Sequence, residues 1–287
     1  MVLNSNIAVL NSLETSRESK KQLDNSTAKL ASGLRINKSS DDGSGLAVAD
    51  KLRTQTSSMS QSIANGNSAI ALLELADKSM GEQSNILDVI KGKLVQAKTA
   101  TTSDEGRAMI QGDIRSLLEQ VDNIGINTHY NGTYLLVERE RDTRDLTYSD
   151  VGAIEGIKFH LGEFAEDTVR GPIGVKATSD GLALDGLFST ELTAQTSGDY
   201  MSIVDDAIDT LNNWRAEYGA VRNQVESSVK NMMTRKTDLQ AAESTIRDVD
   251  YAKESADFST KNILSQTGSF TISQANNIKS NMLNSLQ

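Results

Sequence analysis

The chain has 287 residues, a formal net charge of −10, no cysteine, one proline and only 4% aromatic residues. The negative charge argues against non-specific binding to nucleic acid or anionic membranes, and the lack of cysteine excludes a disulfide framework and thiol or iron–sulfur chemistry. With so few rings, aliphatic side chains must bury the surface, which suits long helices packed side by side, and Pro172 is the single proline that could break one.

The first thirteen residues carry no charged side chain, and no basic segment precedes an apolar core, so a cleaved secretory signal is not expected. No run of eighteen apolar residues occurs, so no membrane span is expected either. Leu3, Ile7 and Leu10 are spaced along one helical face. After Leu30, Gly33 and Asn37 suit a left-handed helix end, and Ser39, Ser40, Asp41 or Asp42 suits the cap of the next helix. That helix is predicted over about Ser44–Ala100, where Leu73, Ala76, Met80, Leu87, Ile90, Leu94 and Ala97 follow alternating steps of three and four. Gln83 is the one polar interruption of this seam. A polar break at 101–105 precedes a second seam of Ile110, Ile114, Leu117, Val121 and Ile124.

Asn131-Gly132 signals a turn, and from there to about Ser197 glycine is frequent and the apolar segments are short. Ile154–Leu161 and Thr168–Ala177 are predicted as parts of a few β-hairpins. A third seam then runs through Leu211, Trp214, Tyr218, Val221, Val225, Met232, Leu239, Ala242, Ile246 and Val249, with Ser228 and Arg235 as polar exceptions. Residues 262–287 carry only Lys279, and Ile272, Ala275, Ile278 and Met282 form one face. Either end alone has too little apolar surface to offset the entropy of ordering. Two matching ends predict paired helices that order on assembly, since few charges make burial inexpensive.

Catalytic raw material is scarce. His129 and His160 are isolated from each other and from any His-x-x-x-His partner, so zinc and Ser-His-Asp chemistry have no basis. The Asn37–Asp42 run fails as a calcium loop, because Asp42 stands at the glycine position and Val48 at the glutamate position. Gly43-Ser44-Gly45 lacks the third glycine and the preceding strand of a dinucleotide site. No cofactor, metal or enzymatic activity is expected.

The run Leu30-Ala31-Ser32-Gly33-Leu34-Arg35-Ile36-Asn37-Lys38-Ser39-Ser40-Asp41-Asp42 closely resembles the signature of bacterial flagellins, Leu-Ser-Ser-Gly-Leu-Arg-Ile-Asn followed by Asp-Asp. Asn65–Ala71 and Tyr130-Asn131-Gly132 continue the likeness, and so do Gly219–Asn223, Ser244–Ala252, Ile263–Gly268 and Ser273–Asn276 in the other half. The resemblance implies a mostly helical chain with coiled-coil helices from both termini forming a rod. It implies an inner domain of 1–43 with 250–287, a helical rod domain of 44–136 with 198–249, and a β-hairpin region of 137–197 with no large outer domain. It also implies polymerisation with copies of itself into a filament used for swimming. Export would proceed without a cleaved signal, with an export chaperone, cap and hook-associated proteins as further partners.

Leu34, Arg35, Ile36, Asn37, Asp41 and Asp42 are expected to join the inner and rod domains and to touch neighbouring subunits. Flagellins that activate the flagellin-sensing Toll-like receptor carry Leu-Gln-Arg-Val-Arg-Glu-Leu-Ala-Val-Gln, where this chain has Leu87-Asp88-Val89-Ile90-Lys91-Gly92-Lys93-Leu94-Val95-Gln96. Asp88, Val89, Gly92 and Lys93 alter that segment, so weak or absent receptor activation is expected. Near the end, Asn276–Leu283 lacks the proline of the family pattern. A hook–filament junction protein of the same superfamily and a secreted coiled-coil adhesin are the alternatives.

Overall fold

A computed structural model describes residues 7–137, 140–141, 148–149, 157–172, 175–189 and 191–284. Its helices are α1 (Ile7–Ser32), α2 (Gly43–Lys98), α3 (Asp104–Asn127), α4 (Gly186–Ser189), α5 (Ala194–Arg247) and α6 (Tyr251–Asn284). Among the described residues, three antiparallel strand pairs lie between α3 and α4: β1–β2 (His129–Tyr130, Thr133–Tyr134), β3–β4 (Glu140–Arg141, Tyr148–Ser149) and β5–β6 (Lys158–His160, Thr168–Arg170). The fold is therefore mostly helical with small hairpins, as the sequence predicts. The chain divides into two compact units, residues 1–57 with 236–287 and residues 58–235, and both divisions fall inside helices, α2 and α5.

The second unit has one thick core. Leu73, Ala76, Met80, Gln83, Leu87, Ile90, Leu94 and Ala97 are all buried on α2, so the seam read from the sequence is the core face of that helix. Opposite it, α5 buries Val204, Ala207, Leu211, Tyr218, Val225, Val229 and Met232, while Trp214 and Val221 pack half-buried at the margin. Gln83 is not tolerated passively: its Nε2 donates to the carbonyls of Val121 (2.9 Å) and Ala177 (2.7 Å). Tyr218 is handled similarly, with its hydroxyl donating to the Leu135 carbonyl at 2.9 Å, and burial pushes its pKa up to about 12.

The α3 stripe departs from the expected one. Ile110, Ile114, Leu118, Val121 and Gly125 are buried, whereas Leu117 and Ile124 are only half-buried. The stripe drifts by one residue because Gly125 faces the segment after the hairpins: a Cβ there would sit 2.4 Å from the Ala177 carbonyl oxygen. Ser103 caps α3 by accepting from Gly106 N–H at 3.2 Å. The Asn131-Gly132 turn has φ values of +49° and +84°, the two-residue geometry that matches the twist of paired strands.

Residues 177–187 fold onto this core through Ala177, Leu182, Leu184 and Leu187, and are fastened where Asp122 accepts from the Ser179 N–H (2.6 Å) and hydroxyl (2.8 Å). Neither that fold-back nor α4 is evident in the sequence. Parts of the two predicted strand segments, 154–156 and 173–174, lie outside the described residues.

The close approach at Gly125 yields a test. Gly125→Ala should lower stability by about 1–3 kcal/mol through overpacking, although alanine brings about 1 kcal/mol of helix propensity. Unfolding of the full chain in urea, followed by circular dichroism, measures this; an unchanged or raised midpoint would mean that the Ala177 carbonyl simply yields.

Candidate assembly surfaces

In the first unit α1 and α6 pack against each other. The residues that turn inward on α1 are Val9, Ser12, Leu13, Ser16, Ser19, Leu23, Ser26, Lys29 and Leu30; on α6 they are Glu254, Phe258, Lys261, Asn262, Ser265, Gly268, Ile272 and Ala275. They follow the three- and four-residue spacing of a two-helix seam, with serine, glycine and alanine interspersed among larger side chains. A Cβ added at Gly268 would stand 3.5 Å from Ser16 Cβ, so the backbones approach closely. Ser26 is buried and hydrogen-bonds Glu254, and the Tyr251 hydroxyl donates to the Leu30 carbonyl at 3.3 Å.

Several large apolar side chains face away from this seam. Phe270 is 72% exposed, Ile7 69%, Ile263 65%, Leu10 58% and Ile278 48%. Of the residues expected to pack the terminal helices together, Ile272 and Ala275 line the seam, whereas Ile7, Leu10 and Ile278 do not. Ser16 and Gly268 let the two backbones come close, while these three side chains are directed outward. Leu3 and the side chain of Met282 lie outside the described residues.

The loop from Gly33 to Asp42 is a built joint. Gly33 adopts φ +73° and ends α1, and an antiparallel bridge pairs Leu34 with Asp248. Arg35 N–H donates to the Arg247 carbonyl (2.6 Å), Val249 N–H donates to the Gly33 carbonyl (3.0 Å), and the Arg35 guanidinium donates to the Ile246 carbonyl (2.5 Å). These bonds tie the end of α1 to the end of α5. Ile36 is buried at 3% exposure, and a Cβ on Gly45 would stand 2.9 Å from Ile36 Cδ1.

Asn37 does not take the left-handed conformation expected of it. Its amide reaches back to the Ser32 hydroxyl (2.7 Å) and the Ala28 carbonyl (3.3 Å), so it closes the helix end with its side chain instead. Asp41 accepts from the N–H groups of Asn37 (3.1 Å) and Lys38 (3.0 Å), and Asp42 caps α2 by accepting from Gly45 N–H (2.9 Å) and the Ser44 hydroxyl (2.8 Å).

All six joint residues named from the sequence thus lie together in the first unit. Their partners at and just beyond the end of α5, Ile246 to Val249, carried a helical seam and part of the family likeness in the sequence, and neither signalled this bridge.

Donation from Lys38 and Asn37 N–H holds Asp41 below the usual carboxylate range, and donation from Gly45 N–H and the Ser44 hydroxyl does the same for Asp42. Carboxylates that ionise more readily when folded stabilise fully above the ordinary value of 3.8 and lose that contribution as pH falls through the lowered values. An Asp41→Asn, Asp42→Asn double variant should therefore lose less melting temperature than the parent between pH 6 and pH 3. Parallel pH profiles would remove these two carboxylates from the acid sensitivity of the chain.

The Leu87–Gln96 segment lies on α2. Val89 is 51% exposed, Asp88 and Gly92 are exposed, and Lys93 pairs with Asp113 at 2.6 Å. A Cβ at Gly92 would meet nothing within 4 Å, so this glycine has no packing reason. Among the described residues no group of three or more His, Asp or Glu side chains could hold a metal ion, and no helix is long and apolar enough to cross a membrane.

Comparison with known proteins gives these surfaces a context. Residues 3–140 match the bacterial flagellin N-terminal helical region and residues 201–286 the bacterial flagellin C-terminal helical region. The chain is similar to flagellin FlaB2 of Treponema pallidum, with 32% identity over all of both chains. It is equally similar to the flagellin of Bacillus subtilis strain 168, again 32% identical over all of both. Among solved structures, a putative flagellar hook-associated protein from Vibrio parahaemolyticus matches 72% of this chain and all of that one, with a TM-score of 0.57 at 12% identity, a likeness of fold alone. With relatives matched end to end and both helical regions present in order, the chain belongs to the bacterial flagellin family.

Proposed function

We propose that this chain, a structural subunit of the flagellar filament that serves swimming, polymerises by covering the outward apolar faces of α1 and α6. The observation that carries this reading is the outward face of the terminal pair, where Ile7, Leu10, Ile263, Phe270 and Ile278 are exposed. Full burial of one such side chain contributes about 1.5–3 kcal/mol. Several per copy make association strongly favourable once a neighbour supplies the other wall. A non-identical, head-to-tail contact that does not close generates an open helical polymer.

In the same reading, 1–43 with 250–287 forms the inner domain, 44–136 with 198–249 the rod domain, and 137–197 a short variable region. The joint of Leu34, Arg35, Ile36, Asn37, Asp41 and Asp42 holds the inner helices in the geometry that neighbours meet. An export chaperone and cap and hook-associated proteins complete the assembly. Removing residues 1–40 or 250–287 should leave a soluble, helical monomer that forms no filaments. Long filaments of either truncated chain in the electron microscope would sink the terminal-helix mechanism.

A second proposal concerns recognition. Val89 and Gly92 stand on an exposed face where receptor-activating flagellins present an arginine and a glutamate. An arginine anchor at an interface centre is worth about 2 kcal/mol or more, roughly a 30-fold change in affinity. The core residues Leu87, Ile90 and Leu94 are unaffected, so the monomer folds while its exposed surface signals poorly. Monomer titrated on receptor-expressing reporter cells should be far less potent than an Arg- and Glu-bearing flagellin, and Val89→Arg with Gly92→Glu should raise its potency; equal potency at the outset refutes this.

A further inference from the structure

The charges of the two units differ sharply. Residues 1–57 and 236–287 hold 13 basic and 12 acidic side chains, whereas residues 58–235 hold 16 basic and 27 acidic ones, a net of −11. Where neighbouring copies of such a unit come within the Debye length, about 8–10 Å in physiological salt, their repulsion is only partly screened. A filament needs places where a cation of one copy meets an anion of the next.

The helices of the acidic unit have few cations to give. Lys78 pairs with Glu74, Lys91 with Asp205, Lys93 with Asp113, Arg107 with Asp104, Arg215 with Asp77 and Arg222 with Glu226. Lys98 lies over Gly198 of its own chain, and Arg235 lines a cavity of about 460 Å³ with Glu163, Glu166 and Asp167. Arg115 sits on α3 one turn before Glu119. Lys230 is exposed on α5 and, like Lys98, Arg115 and Arg235, has no ion pair among the described residues. One turn on, Met233 is 47% exposed, and no acidic residue falls between Glu226 and Asp238. This edge of α5 is basic and apolar.

Its complement lies between α2 and α3. An open groove of about 770 Å³ has Leu75 and Ile124 as its apolar residues and Glu82 and Glu119 as its charged ones. Neither glutamate has an ion pair among the described residues. A groove between two helices is the shape that accepts the ridge of a third. We propose that in the filament the Lys230–Met233 edge of one copy seats in the α2–α3 groove of the next, the lysine meeting Glu82 and Glu119 and the methionine meeting Leu75 and Ile124. This contact rests on the filament reading and is heterologous, so it propagates with the polymer without closing on itself.

The full chain is the test material, and the critical concentration for polymerisation, measured by sedimentation, is the readout. Lys230→Glu alone should raise it about tenfold, and so should Glu82→Lys with Glu119→Lys. All three substitutions in one chain should bring it back toward the parent value, while the melting of the monomers stays the same. If reversal unfolds a monomer, Lys230→Gln and Met233→Gln ask the same question and should each raise the critical concentration. Variants that polymerise like the parent, or a triple variant as poor as its components, overturn the contact. Filaments from a chain lacking α6 would instead overturn the terminal-helix reading, and the charge-swap result would stand apart from that failure.

Discussion

Between α1 and α6 the chain brings together serine, glycine and alanine more often than leucine, and the other features of the first unit follow from that choice. A seam of small residues allows close backbone approach but removes little apolar area from water, so the pair gains modest hydrophobic stabilisation from its own inside. Ile7, Leu10, Ile263, Phe270 and Ile278 are directed outward, where within a single copy they meet solvent. The low charge of both ends then has a physical purpose, since a face destined for burial against a neighbour carries less desolvation cost when few charges lie on it.

A pair so thinly packed needs fastening at its root, and the Gly33–Asp42 joint supplies it with directional bonds instead of area. A strand-like bridge between Leu34 and Asp248, the guanidinium of Arg35 on the Ile246 carbonyl, and side-chain closures by Asn37, Asp41 and Asp42 satisfy backbone groups that two helix ends and one helix start would leave unpaired. Asp250 does likewise for α6, accepting from the N–H groups of Ala252 and Lys253. The signature read in the sequence is thus mainly a set of helix-terminus solutions, and its specificity comes from needing all of them within ten residues.

The second unit is built on the opposite principle. Its aliphatic core is thick enough to bury a glutamine, and Gln83 is held by two carbonyls from different segments, Val121 on α3 and Ala177 beyond the hairpins. A buried amide with a fixed pair of acceptors penalises any slip of α2 along α3, because a shifted register would leave the donors unpaired. Gly125 reinforces the same register, since only that position accommodates the approach of the Ala177 backbone.

How much of this was legible in the sequence depends on whether the signal was periodic. The α2 seam from Leu73 to Ala97, the near absence of proline, the uncharged ends and the Asn131-Gly132 turn were determined locally, because helix and hairpin geometry impose spacing on the residues that must face inward. The joint was legible as punctuation, although Asn37 closes its helix by side-chain bonding where a left-handed backbone was expected. Three things were decided only by tertiary structure: that α3 buries Leu118 and Gly125 in place of Leu117 and Ile124, that residues 177–187 fold back onto the core, and that Ile7, Leu10 and Ile278 turn outward. In each case a face of nearly equal hydrophobicity was available on either side, and the sequence pattern could not say which would find a partner. Packing settled it, through one carbonyl approaching Gly125, one carboxylate holding Ser179, and two backbones that come close where Ser16 faces Gly268.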